Sequence, residues 1–340
     1  MADAAAMRTR AAEIADDVLF PAAIAVDRAD RVPATHLDRL AAEGFYGIAT
    51  RPEHGGLGLE DFASAGDILA AFAGGCLATA FVWLQHHGPV IAASVSDRPG
   101  TAERWVGPLA RGERRAGIAL AGLRGSPPVR VRPAAGGYVV DGTVPWVTGW
   151  DLVDTVHLAA LDGAGVIHYF FLDAVAGPTL SADLVDVVAT RASRTVTLHL
   201  AGHTVPADRL VGTQPYAEWS GGDMAGSLLN GFLAIGVAGR CCRLLGPSPF
   251  DAELARCRAA LLAAAAAADA GPAAAAAARA DAADLALRAS ASLVVRTGSR
   301  AVLLDQHAQR LAREAIFLLV FGSRPIIRDA LLTRLLPPTE

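Results

Sequence analysis

The 340 residues predict an α+β chain in which two helical segments flank a β segment, divided at 1–112, 113–212 and 213–340. Three observations predict it. Up to about Arg111 apolar residues recur at intervals of three and four, the period of a helix with one buried face. From about 116 to 211 short β-branched runs are separated by Gly, Asp and Pro. From about Tyr216 the helical spacing returns. A chain of this length exceeds one ordinary core, so two or three packed units are expected.

In the first segment the apolar stripe runs through Phe62, Ala65, Leu69, Phe72 and Cys76, and again through Leu77, Ala80 and Leu84. The glycines at 55–58 read as a turn, because no strand precedes them and they lack the Gly-x-Gly-x-x-Gly spacing of a dinucleotide loop. In the middle segment 129–132, 138–140, 155–158 and 166–171 read as strands, and 194–200 alternates cleanly. Strands so short and so regularly punctuated argue for a small antiparallel barrel or sandwich rather than βαβ units. In the last segment 228–245, 251–268, 273–297 and 300–321 are candidate helices, enough for a four-helix bundle. Residues 298–310 read straight through as helix. The alanine-rich run 263–280 is broken at Gly271-Pro272, which gives two helices and a turn.

Composition excludes several classes of function. A formal net charge of -4 and the lack of a basic stripe argue against nucleic acid. The N-terminus carries Asp3 and Arg8 before any apolar run, unlike a secretory signal, so a cytoplasmic location is expected. The most apolar helical run, 228–237, is interrupted by Asn230 and Gly231 and closed by Arg240 and Arg243. It is too short to span a bilayer and reads as a core helix, with no membrane insertion expected. Cys76, Cys241, Cys242 and Cys257 lack zinc-binding spacing and read as reduced core thiols. The adjacent His86 and His87 miss the i, i+4 spacing of helical metal ligands, so no metal is expected.

The most informative stretch is 136–149, where Trp146 and Thr148 stand two residues apart on one strand-like run. Residues i and i+2 of a strand share a face. A flat ring with a hydroxyl beside it suits a planar heteroaromatic cofactor. The plainer reading is a hairpin with a core tryptophan.

The order of segments decides for the cofactor. Phe45-Tyr46-Gly47-Ile48, then the turn beginning Pro52-Glu53-His54, then Gly125-Ser126, then Trp146-Val147-Thr148, then Arg310-Leu311-Ala312-Arg313-Glu314-Ala315 together resemble the acyl-CoA dehydrogenase family of flavoproteins along nearly the whole chain. The resemblance implies an N-terminal α-helical domain, a middle antiparallel β-barrel and a C-terminal four-helix bundle. It implies FAD between barrel and bundle, an acyl-CoA or acyl-carrier thioester as substrate, and a homo- or hetero-oligomer with another family member. By resemblance Trp146, Val147 and Thr148 meet the flavin, with Trp146 packing on its ring and Thr148 bonding its edge. Gly125 and Ser126 lie near its phosphates or the thioester.

In the family a glutamate removes a proton beside the thioester carbonyl while the flavin takes a hydride from the next carbon. The residues matching its two known positions are Phe321 or Gly322 and, at the start of the bundle, Asn230-Gly231, none of which is a base. Glu314 suggests a structural ion pair, Asp251 and Glu253 read as first-turn helix acids, and Asp305, Asp329 and the loop acid Asp223 are poor substitutes. The resemblance implies α,β-desaturation of an acyl thioester, either by this chain itself or with it as the base-lacking subunit of a heteromeric enzyme whose other chain brings the glutamate. The alternatives are a flavin monooxygenase of the same fold and a flavin-free scaffold subunit.

Overall fold

The helical periodicity before residue 111 resolves into α1 (Ala4–Ile14), α2 (Phe20–Arg28), α3 (Ala34–Ala42), α4 (Phe62–Gly75), α5 (Leu77–Ser94) and α6 (Thr101–Ala110), with a π-helical turn at Ala15–Leu19 between the first two. The computed structural model describes residues 3–54, 56, 58, 61–220, 225–267 and 271–337. The glycine turn expected at 55–58 and the loop acid Asp223 therefore fall partly or wholly outside the described residues. The Asp61 carboxylate accepts from the backbone N–H groups of Ala63 and Ser64 and so caps α4, satisfying donors that a helix start leaves open.

The middle segment forms β1 (Ala116–Ala119), β2 (Arg130–Ala134), β3 (Gly137–Val147), β4 (Thr155–Leu161), β5 (Val166–Asp173), β6 (Leu180–Leu184), β7 (Val196–Pro206) and β8 (Leu210–Pro215). They make one sheet in the order β6-β7-β3-β2-β4-β5-β8, with β1 beside β4. The pairs β2–β3, β3–β7, β4–β5, β5–β8 and β6–β7 are antiparallel. The β1–β4 pair and the single β2–β4 contact are parallel. Alternate residues such as Val140, Val144, Leu158, Phe170 and Leu198 fill the sheet's own core, which is the period-2 pattern the sequence shows.

The last segment holds α7 (Tyr216–Ser220), α8 (Ala225–Leu245), α9 (Pro249–Ala266), α10 (Gly271–Thr297), α11 (His307–Val320) and α12 (Pro325–Leu335). The expected break at Gly271-Pro272 is present. The continuous helix expected over 298–310 is not. Gly298 takes φ +71, a 3-10 turn follows at Gly298–Val302, and α11 begins only at His307. A glycine in the left-handed region ends a helix, whereas the apolar spacing on either side suggested that it continued. The separate α12 starts at Pro325, where a missing N–H costs nothing.

Helices from both ends of the chain share one core, which runs from Ala11 and Phe72 to Phe232, Leu285 and Leu318. A smaller cluster of Val90, Trp105, Ala116, Phe171 and Val211 ties α5 and α6 to the sheet. One stretch, Ser227–Leu245, is long and apolar enough to cross a bilayer by length and composition. It packs against α4 and α10, with Phe232, Leu233, Val237 and Cys241 buried, which is the setting of a core helix. All four cysteines are free and buried. Burial pushes the Cys242 and Cys257 thiols up to about 11, so they stay protonated and unreactive at neutral pH.

Candidate functional site

A cavity of about 530 Å³ opens where the end of β3 faces the end of α11. Its sheet side carries Trp146, Thr148 and Thr195, its floor includes Phe81 and Gln85 of α5, and its helical wall runs from Ile316 to Ser323. Phe81 packs edge-on against Phe317 and Phe321, with centroids 5.1 and 4.8 Å away. Among the described residues no charged side chain lines it.

Trp146 and Thr148 reach this cavity by a different route from the one their spacing suggests. Val144 pairs with Leu198 but Val147 pairs with Val196, so β3 carries one residue more than β7 between these points. Trp146 absorbs the bulge at φ +61 and is 61% exposed, while Val147 points into the sheet core and Thr148 lies just past the strand end, 2% exposed. A bulge resets the alternation of faces, so the two side chains meet through the irregularity rather than through i, i+2 geometry. Val147 has only its backbone to offer a ligand.

Thr148 is held by a chain of hydroxyls. Its Oγ1 is 3.1 Å from Oγ1 of Thr195, which is 2.9 Å from Oγ of Ser193. The turn that presents these groups is built from Thr190 and Arg194, both in the left-handed region. It is locked by bonds from the Gly149 and Trp150 N–H groups to the carbonyls of Ser193 and Arg194. Thr195 and Ser193 were missed by the sequence reading, because their partnership with Thr148 arises only when β7 pairs with β3. Gly125 and Ser126 follow the 3-10 turn Ala121–Arg124. Ala121 lines the cavity, but neither Gly125 nor Ser126 does.

Comparison with known proteins gives this cavity a context. The family model described as the acyl-CoA dehydrogenase N-terminal domain matches residues 1–113. The mitochondrial short-chain specific acyl-CoA dehydrogenase of Bos taurus is 24% identical over 220 residues, which are 61% of this chain and 52% of that protein. The chain resembles the acyl-CoA dehydrogenase family. Its match spans about half the length of that curated relative. A glutaryl-coenzyme A dehydrogenase in complex with glutaryl-CoA superposes with a TM-score of 0.85 at 17% identity, covering 98% of this chain and 95% of that one. A glutaryl-CoA dehydrogenase from Mycobacterium smegmatis in complex with FADH2 gives 0.82 at 16%, again over 98% and 95%. At such identities the superpositions establish the acyl-CoA dehydrogenase fold.

The two places where the family resemblance puts a catalytic glutamate come together in space. A Cβ built on Gly322 would stand 2.9 Å from Nδ2 of Asn230, so the end of α11 and the start of α8 meet at the cavity wall. No carboxylate is present at either. The other candidate acids among the described residues lie elsewhere. Glu253 pairs with Arg288, Asp251 accepts from the Ser248 N–H in a capping box, Asp329 sits beside Arg328, and Asp305 accepts from Gln306. Glu314 is buried and pairs with Arg310 at 2.5 Å, one helical turn away. Burial pushes its carboxyl up, with Arg310 opposing that shift. It is the structural ion pair the sequence suggests, and it does not line the cavity.

Proposed function

We propose that this chain is a flavin-binding acyl-CoA dehydrogenase homologue that takes an acyl thioester into the cavity beside Trp146 and depends on a second chain for the proton-abstracting carboxylate. One observation carries the proposal: a tryptophan 61% exposed and held at a cavity mouth by a bulge, opposite an aromatic wall free of acids. Covering an exposed ring of this size is favourable. A planar cofactor lying on it removes that surface. The residues fit FAD: Trp146 supplies a flat apolar face, the Thr148 hydroxyl is oriented by Thr195, and the Val147 backbone lies between them. Ser126, in the loop after Ala121, is the proposed contact for the cofactor's phosphates or the thioester, with the Gly125 backbone beside it.

FAD, when bound, supplies the hydride acceptor for α,β-desaturation. The chain's own residues orient the ring, exclude water through Phe81, Phe317 and Phe321, and leave an apolar space for the acyl group. Among the described residues that line the cavity none can take the α-proton, and Asn230, Phe321 and Gly322 cannot. The chemistry therefore calls for a full-length family member as partner.

The test is the visible spectrum of the full chain, purified alone and after co-expression with a full-length relative, followed by anaerobic titration with butyryl-CoA. Yellow protein that bleaches only in the co-expressed sample supports the proposal. Bleaching by the chain alone shows a complete site and removes the need for a partner base. Colourless protein in both samples overturns flavin binding.

A further inference from the structure

Residues 77–90 of α5 are buried except at Gln85 and Gly88. Gln85 lines the cavity, which accounts for its partial exposure. Its carboxamide bonds to no other described residue, yet neither of its polar atoms is sealed inside the protein. Both stay open to whatever occupies the cavity. The other polar side chains of the described lining differ from it: Thr148 and Thr195 bond each other at 3.1 Å, and Ser323 is exposed. Gln85 is thus the enclosed polar group of this lining that has no protein partner.

Its place on α5 assigns it to the acyl side of the cavity. Gln85 stands four residues after Phe81, on the same helix face and about 6 Å along the axis. Phe81 packs against Phe317 and Phe321 of the helical wall, whereas Trp146 comes from the sheet side. An acyl chain laid along Phe81 therefore passes within reach of the amide. Filling the space displaces solvent from that amide, and a plain alkyl chain leaves its donors and its acceptor without partners. A hydroxyl both donates and accepts, as the carboxamide does. The described lining carries no charge, so it suits a neutral group and gives a carboxylate no cation.

We propose that Gln85 is a specificity residue, and that the acyl group taken by this site carries a hydroxyl that hydrogen-bonds the Gln85 carboxamide. The inference rests on the thioester reading above and names its substrate class. Binding places the hydroxyl against Gln85 and the methylenes against Phe81, Phe317 and Phe321.

Butyryl-CoA, 3-hydroxybutyryl-CoA and 4-hydroxybutyryl-CoA share a four-carbon acyl chain and differ only in a hydroxyl, so calorimetric titration of each into the FAD-supplemented full chain isolates the effect. At least one hydroxylated thioester is expected to bind about tenfold more tightly than butyryl-CoA, the scale of one enclosed polar group left unpaired. Gln85→Leu is expected to bring all three to one affinity, and Gln85→Asn to keep part of the preference. The melting temperature of Gln85→Leu should match or exceed that of the parent, because the variant breaks no hydrogen bond among the described residues; a purely structural glutamine would instead lower it. Equal affinities in the parent chain, or a preference that survives Gln85→Leu, overturn the proposal and leave the thioester reading standing. Failure of all three thioesters to bind defeats the thioester reading itself and this inference with it.

Discussion

His87 is buried against Trp83, ring centroids 4.4 Å apart, and neither of its ring nitrogens has a partner. Burial holds it down at about 3 and His157 at about 4; His307 is held at about 4 by burial and by the nearby Arg310 and Arg240. In the unfolded chain each returns to about 6.5. Below that pH the unfolded chain binds protons that the folded chain refuses, so stability is highest above about pH 6.5 and is lost as pH falls toward 4. Each histidine contributes a slope of about 1.4 kcal/mol per pH unit within its window. Urea unfolding of His87→Leu should therefore show a shallower fall between about pH 6.5 and 4.5 than the parent; parallel falls would remove His87 from the account. Trp146 gives a second residue-scale expectation. Trp146→Ala should weaken FAD binding, read by flavin fluorescence quenching, by about tenfold, yet leave the melting temperature of the flavin-free chain nearly unchanged because the ring is mostly exposed. The pairing of Trp146 with Thr148 was legible from two residues in one short run. The bulge that delivers them was not, since an extra residue on β3 becomes visible only against β7.

Helix α8 crosses α4 at a contact of glycines. A Cβ on Gly236 would land on the Ala70 carbonyl oxygen and within 2.9 Å of Gly74 N, and one on Gly66 would meet the Phe232 ring at 2.6 Å. Backbone cannot yield as a side chain can. Gly236→Ala should cost about 3 kcal/mol in chemical denaturation, whereas the gain in helix propensity returns only about 1. In the sequence Gly231 reads as an interruption of an apolar run, and the role of Gly236 as a seat for α4 depends on which helix lies opposite. The ion pair within α11 is the converse case, because i, i+4 spacing alone puts Arg310 and Glu314 on one face. Removing Arg310 alone as Arg310→Met should cost about 3–5 kcal/mol by stranding a buried carboxylate, and Arg310→Met with Glu314→Leu should recover most of it. If the double variant is no more stable than the single one, the stranded charge is not the cause.

Across the whole molecule the sequence marks three textures, but burial divides differently. Helical spacing shows which face of α4 or α8 is apolar and is silent about what covers it. Phe72 of α4 and Phe232 of α8 lie in one core with Leu285 and Leu318, while the sheet encloses its own. The cavity forms where that sheet abuts the shared helical core, so Trp146 and Phe321, 175 positions apart in the chain by their numbering, meet only after both ends of the chain have packed. Two helical segments that each lack half of a core should not fold singly. Expressed apart, residues 1–112 and 213–340 should show weak, non-cooperative melting by circular dichroism, and mixing them should restore a cooperative transition through the α4–α8 contact. The Gly236→Ala version of the second fragment should fail to do so. Cooperative melting of either fragment alone would mean that the helices before and after the sheet are separate units, and that the site is assembled by docking of finished parts rather than by closure of a single core.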